Sequence, residues 1–524
     1  MGVLMAAARG QPAVPDAGPA QTAGVMTATA AEAAGILPPA PQYDVNNPPE
    51  GVFDEEWTEV RLGGQKAGYA HEVLRRQGGL IFTDTRAVIR VAREEDAVEL
   101  TVESSTEETL AGEPRAFRSA TTTASQPVVV EGRGDGVAFN VTLQSGAYTE
   151  KQVVTLPAGT LMTWGAERRQ RIEGLAQRTH YEFPLYEPEQ DMLKPMPVSV
   201  VVGAKEKVNV HGVVVEATRL DERQGEPGSA GVMNEVSWVD DMGDNVKMLM
   251  PLGGFTMEMT SATQAEALAE YLPADIFSAS LIDLAQPVSA NATSVTYRLQ
   301  RRDGQALPAT PESATEHGEL LPGGAARITL ARPSAGTGNG VVLKGPELAP
   351  YLARNSFLDT QDPEVRRLAA QAGGPEGAPP AEVAQRLRDF VAGYISKKDL
   401  SVGFATASEV AQSREGDCTE HAVLLAALGR VRGLPSRVVA GLAYVPEYQG
   451  KQAILGYHMW AQFYLDGRWV DYDAALPEIP GPPRRLGLVA SDLNSESLAD
   501  FSLGLLDWMA AMQVTVEGTA GAKP

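Results

Sequence analysis

The sequence predicts an α+β chain: mostly antiparallel β domains, followed by a C-terminal unit that combines helices with a β-hairpin. Three observations predict it. Residues 55–252 hold repeated short alternating runs separated by polar turns. From about residue 349 the apolar spacing turns helical. Beyond that, Asp466-Gly467 sits between two alternating runs, which is a hairpin pattern.

The elements follow in order. Residues 1–50 are rich in Ala and Pro and poor in aromatics, so they cannot bury enough apolar area to offset the entropy of ordering. They are expected to be disordered. Gly2–Ala8 is small and apolar but lacks the basic start and longer apolar core of a secretory signal. It reads as the tail of a signal peptide that starts upstream; a plain cytosolic tail fits the same residues. In 51–285, strands are expected around 57–62, 87–91, 97–102, 128–130, 198–202, 213–215, 234–239 and 247–250. Together they imply a large antiparallel sheet or open barrel. A short helix is expected over 264–272. Residues 286–348 form a small β module, with strands at 294–299 and 326–330 and a loop at 336–340. The unit from 349 to 524 opens with helices over 363–371, where Pro363 suits a first turn, and over 381–396.

Composition bounds the function. A formal charge of −23 opposes a nucleic-acid surface, which needs a basic stripe, and opposes docking on anionic lipid. No apolar stretch is long enough for a membrane span. Cys418 is the one cysteine, which excludes an intramolecular disulfide and a cysteine-rich metal site. No ligand-spaced His pair accompanies it, so zinc is not expected. His71, His180 and His211 are scattered and read as structural. No calcium loop of the EF-hand pattern occurs, and no cofactor is implied.

Chemistry concentrates around Cys418. After Gly416 the run Asp417–Leu428 reads as a helix with Asp417 as N-cap. Cys418 then lies in the first turn, where unpaired N–H groups and the positive end of the helix dipole favour thiolate over thiol. A buried structural cysteine is the competing reading.

A base is available 40 residues on, at His458. Residues 456–465 read as a strand with His458, Trp460 and Gln462 on one face. With Asp466-Gly467 at the tip, Leu465 pairs with Arg468. His458 then stands opposite Ala475, two positions past Asp473. A carboxylate that close in register can reach the imidazole and fix its tautomer. His421 is three residues after Cys418 and would have to fold back to act as base; a structural or substrate-side role is expected for it.

Four blocks, 416–422, 433–441, His458-Met459-Trp460 and Trp469–Asp473, resemble bacterial members of the transglutaminase-like superfamily over about residues 350–480. The resemblance implies a papain-like fold, with the cysteine helix packed on an antiparallel sheet, and a Cys418–His458–Asp473 triad. One departure is that the family often has Asp-Pro-Thr where this chain has Asp473-Ala474-Ala475. The resemblance implies acyl transfer or hydrolysis at a peptide amide through a thioester on Cys418. The Cys418 N–H would serve the oxyanion, with Gln412 as a second donor, and Trp460 and His421 would line the substrate side. Relatives of this kind are often joined to β modules in exported proteins, which implies an extracytoplasmic location and a protein or peptide substrate. The alternative is a binding or structural protein that works through its β domains, with a degenerate cysteine scaffold.

Overall fold

The computed structural model describes residues 26–27, 42–93, 96–225, 232–252, 255–275, 280–302, 306–332, 342–397, 404–448, 450–476, 483–494 and 512–521. The leader expected over 1–50 lies outside the described residues except at 26–27 and 42–50, and the loop expected at 336–340 lies wholly outside them. The chain is α+β, with three sheets and with most of its described helix after residue 345.

The first sheet has 16 strands. Its main path is antiparallel throughout and built from sequence-adjacent hairpins. One half runs from Gly51–Leu62 to Tyr148–Thr155, and the other from His180–Leu185 to Phe255–Ala262. The halves join where Ala262 pairs with Trp57. The expected strands lie inside longer ones; the run at 213–215, for example, extends to Gln224. The helix expected over 264–272 is only Gln264–Ala267. A helix at Thr163–Glu173 was not expected. Its first N–H groups, those of Trp164 and Gly165, donate to the fully buried Glu108 carboxylate. His71, His180 and His211 sit on this sheet, paired locally with Glu55, Ser199 and the Ser261 carbonyl.

The second sheet has five strands, ordered Ile282–Asp283, Lys451–Leu465, Ser436–Tyr448 and Arg485–Ser491, with Arg468–Tyr472 also on Lys451–Leu465. Helices Cys418–Val431 and Pro380–Tyr394 pack against it, and helices Pro363–Ala372 and Ala407–Ser413 pack on the cysteine helix. The cysteine helix is apolar nearly all round and buried from Thr419 to Arg430, as a central helix must be.

The two long strands serve two cores in succession. Val438, Ala440, Met459, Ala461 and Phe463 close the helical core. Leu442, Tyr444, Ala453 and Leu455, at the other ends of the same strands, pack on Val295, Tyr297 and Ile328 of the third sheet. That sheet comprises Glu316–Leu320, Ala326–Ala331, Ala292–Arg301 and Met512–Gly521. The last strand, at the end of the unit expected over 349–524, thus returns to pair with Ala292–Arg301.

The hairpin that carries the histidine has the expected register: Leu465 pairs with Arg468 and Ala461 with Tyr472. Its turn has φ 50° at Asp466 and 81° at Gly467, the two left-handed positions of a type I′ turn. A β-branched residue at the second position is strained by about 1–2 kcal/mol. Gly467→Val should therefore lower stability by about that amount, read as a shift in urea midpoint at constant m-value. An unshifted midpoint would contradict this account of the turn.

Candidate active site

The site starts from a helix cap. Asp417 is the N-cap of the cysteine helix, and its Oδ1 accepts from the Thr419 N–H at 2.8 Å. Glu420 reaches back to accept from the Asp417 N–H at 2.9 Å, and its other oxygen accepts from the Ala405 N–H at 3.1 Å. This is a reciprocal capping box. Burial first, then the Asp417 charge, pushes the Glu420 carboxyl up to about 8 against those two N–H bonds. Glu420 is fully buried, because capping turns it inward.

Gly416 makes the approach possible. Its φ is 140°, and a Cβ there would lie 2.3 Å from the Glu420 side chain. No L-residue fits without breaking the cap. The cap in turn holds Cys418 at the first helical position, half-buried, with its thiol at the helix mouth.

His458 and Asp473 come from the hairpin. Pairing of the returning strand stops at Tyr472, and Asp473 turns in beyond it. His458 Nε2 lies 2.9 Å from Asp473 Oδ2. Asp473 is fully buried. Its Oδ1 accepts from the Ala475 and Leu476 N–H groups, and Arg485 lies 3.5 Å from Oδ2. Arg388, on helix Pro380–Tyr394, donates to the Asp473 carbonyl at 2.6 Å. The Ala474-Ala475 departure therefore still supplies backbone donors to the acid.

Burial alone would raise the Asp473 carboxyl, but the His458 charge and hydrogen bond, then Arg485 and the Leu476 N–H, hold it down at about 2. Burial would lower the His458 imidazolium, but the Asp473 charge and hydrogen bond, then a hydrogen bond with the Cys418 thiol, lift it to about 10. Thiol, imidazole and carboxylate thus interact in a chain, with His458 hydrogen-bonded to Asp473. With Nε2 turned to the acid, Nδ1 is the nitrogen left for sulfur. Such a chain can pass a proton from sulfur to the imidazole and keep the resulting imidazolium charged.

The other residues singled out from sequence are placed as follows. Trp460 is buried; its Nε1–H donates to Asp471 Oδ1 at 2.7 Å, and its ring lies nearly parallel to His458 with centroids 6.1 Å apart. His421 is buried, and its Nδ1–H donates to the Asp417 carbonyl on its own helix at 2.5 Å. Gln412 is exposed on the last turn of helix Ala407–Ser413, and among the described residues no contact joins it to Cys418.

Asp471 was not singled out. Its Oδ1 accepts from both Trp460 and Gln462 at 2.7 Å, and its Oδ2 accepts from Thr315. Gln462 in turn accepts from Arg437, which stacks over Trp469 at 4.3 Å. Asp471 therefore fixes the indole beside the imidazole. The hairpin register, which pairs Gln462 with Asp471, was the feature that could have revealed it.

Residues 366–474 match the family model of the transglutaminase-like superfamily. Uncharacterized proteins of Mycobacterium tuberculosis and Mycobacterium bovis are 27% identical over 179 residues, covering 31% of this chain and 52% of theirs. The chain thus spans about half the length of the curated relatives it matches. Among solved structures, the periplasmic domain of TgpA from Pseudomonas aeruginosa is 16% identical, with TM-score 0.24, over 36% of this chain and 73% of that one. A beta-barrel-like protein with a domain of unknown function from Brucella abortus is 14% identical, with TM-score 0.33, over 41% of this chain and 98% of that one.

The shifts of the buried pair imply a pH dependence. For His458, raised from 6.5 to about 10, the stabilisation is complete below 6.5 and lost as pH rises through about 10. For Asp473, lowered from 3.8 to about 2, it is complete above 3.8 and lost as pH falls through about 2. Between pH 6.5 and 10 the wild type should lose stability on the order of a few kcal/mol relative to His458→Gln, measured by urea midpoints across that range. Parallel curves for the two proteins would contradict the assignment.

Proposed function

Residues 366–474 form a transglutaminase-like superfamily domain, and from that premise we propose that the chain is a cysteine-dependent enzyme acting on peptide amides. The observation that carries the reading is the 2.9 Å hydrogen bond from His458 to buried Asp473, with the Cys418 thiol interacting with the same imidazole. In the proposed reaction His458 takes the thiol proton and the Cys418 sulfur attacks the amide carbonyl carbon. The negative charge moves to the carbonyl oxygen, where first-turn N–H groups of the cysteine helix can receive it. As the tetrahedral adduct collapses, the C–N bond breaks and the imidazolium gives its proton to the departing amine. A thioester remains. Water, or a second amine, then gives a proton to His458 and attacks the thioester carbonyl. The C–S bond breaks, and the thiolate returns. Asp473 stays ionised throughout and holds the imidazole in place.

Asp471 and Trp460 act as positioning residues in this scheme, since they reach the reacting atoms only through His458. The substrate is a protein or peptide. We place the enzyme outside the cytoplasm, where relatives of this kind joined to β modules are often exported.

Glutamine-containing peptides, with and without a labelled primary amine, test the reading. The wild type should release ammonia or cleave the peptide, and incorporation of the amine separates transfer from hydrolysis. Cys418→Ser should abolish turnover, and His458→Ala should cut it by about 10²- to 10⁴-fold. Turnover unchanged in Cys418→Ser would end the proposal and favour a scaffold whose β domains do the work.

A further inference from the structure

The first sheet holds a second cluster of ionisable groups, far in sequence from the thiol. Asp54 and Glu56 alternate on strand Gly51–Leu62 and so project from one face. Asp244 comes from the turn after Met233–Val239, where the Asp240 carboxylate ties down the Met242 and Asp244 N–H groups. One carboxylate oxygen from each of Asp54, Glu56 and Asp244 lies within 4.8 Å of the other two.

The partners of this cluster satisfy it only in part. Arg171, on helix Thr163–Glu173, bonds Asp244 Oδ1 and lies 3.7 Å from Asp54 Oδ2. Tyr43 donates to Asp54 Oδ2 at 3.2 Å. The opposite oxygens, Asp54 Oδ1 and Asp244 Oδ2, are buried and accept from no described residue. The Asp54 side chain is only 2% exposed. A buried carboxylate oxygen without a donor is costly, and two beside a third acid are more so. Charge sharpens the point. Arg171 also serves Glu167, so one guanidinium faces three carboxylates.

We propose that Asp54, Glu56 and Asp244 form a site for a divalent cation with oxygen ligands, Ca²⁺ by preference. The donor set is hard oxygen only, which selects Ca²⁺ or Mg²⁺ over metals that favour nitrogen or sulfur. Ligand oxygens within 4.8 Å of one another can surround an ion with metal–oxygen distances of about 2.3–2.6 Å, whereas Mg²⁺ usually keeps several waters and takes only one or two carboxylates. Water would complete the shell. The cation would join the strand carrying Asp54 to the turn at Asp244, with helix Thr163–Glu173 held alongside through Arg171. Its effect would therefore be on the fold of the first sheet, not on the thiol chemistry.

The test uses the full chain stripped with a chelator. Ca²⁺ added in the micromolar to millimolar range should raise the thermal midpoint, and the rise should grow with concentration as mass action requires. Tb³⁺, a Ca²⁺ substitute, should luminesce on excitation of Tyr43 and nearby Trp164, whose rings are 6.4 Å apart, and Ca²⁺ should quench that emission by displacement. Glu56→Gln and Asp54→Asn should each weaken binding by at least about tenfold while leaving the metal-free midpoint unchanged or higher, because each removes a repelling charge. Glu222→Gln, on a separate strand of the same sheet, should bind as wild type. Absence of any Ca²⁺ shift or Tb³⁺ emission in the wild type, or binding undiminished in both cluster variants, would overturn the proposal.

Discussion

The C-terminal unit depends on one buried ion pair. A carboxylate as enclosed as Asp473 is tolerated only if its charge is met on every side. His458, Arg485 and two backbone N–H groups meet it. The same partners that make the acid tolerable also fix where the imidazole ring must lie. Stability and chemistry therefore make the same demand on this corner of the fold. The hairpin turn, the end of strand pairing at Tyr472 and the Arg388 bond to the Asp473 carbonyl all deliver that one contact.

The sulfur is placed by an independent device. A capping box of Asp417 and Glu420, with Gly416 beside it, ends the preceding loop and starts the helix at Cys418. Because the helix is buried along nearly its whole length, its axis is held by the core and its tip cannot wander. Two rigid supports thus bring thiol and imidazole together: a central helix, and a sheet whose long strands continue into a second core shared with the third sheet. The strand Met512–Gly521 belongs to that second core's sheet, so a segment 94 positions after Cys418 supports the site from a distance.

Much of this was legible in the sequence, and for physical reasons. Register along a hairpin is local, so Asp466-Gly467 alone predicted which residues oppose His458. The cysteine helix was legible from its N-cap and its lack of Gly and Pro. Asp417-x-x-Glu420 has the spacing of a capping box, a pattern that predicts the inward-turned acid seen at Glu420. The role of Asp471 was also recoverable from the register. Arg485, Arg388 and the pairing of Met512–Gly521 were not, because nothing local encodes contacts over such separations. Helix Thr163–Glu173 escaped because it carries Gly165 in its first turn and no apolar stripe. It is held instead by Glu108 at its start and by Arg171 near its end, both long-range polar contacts.

In the proposed reaction Cys418 and His458 act as one unit oriented by Asp473. The most direct measurement is the rate at which iodoacetamide alkylates Cys418 at near-neutral pH in the wild type, His458→Ala and Asp473→Asn. Coupled residues predict fast alkylation in the wild type and slow alkylation in both variants, with protein that remains folded by circular dichroism. Equal rates in all three folded proteins would contradict it.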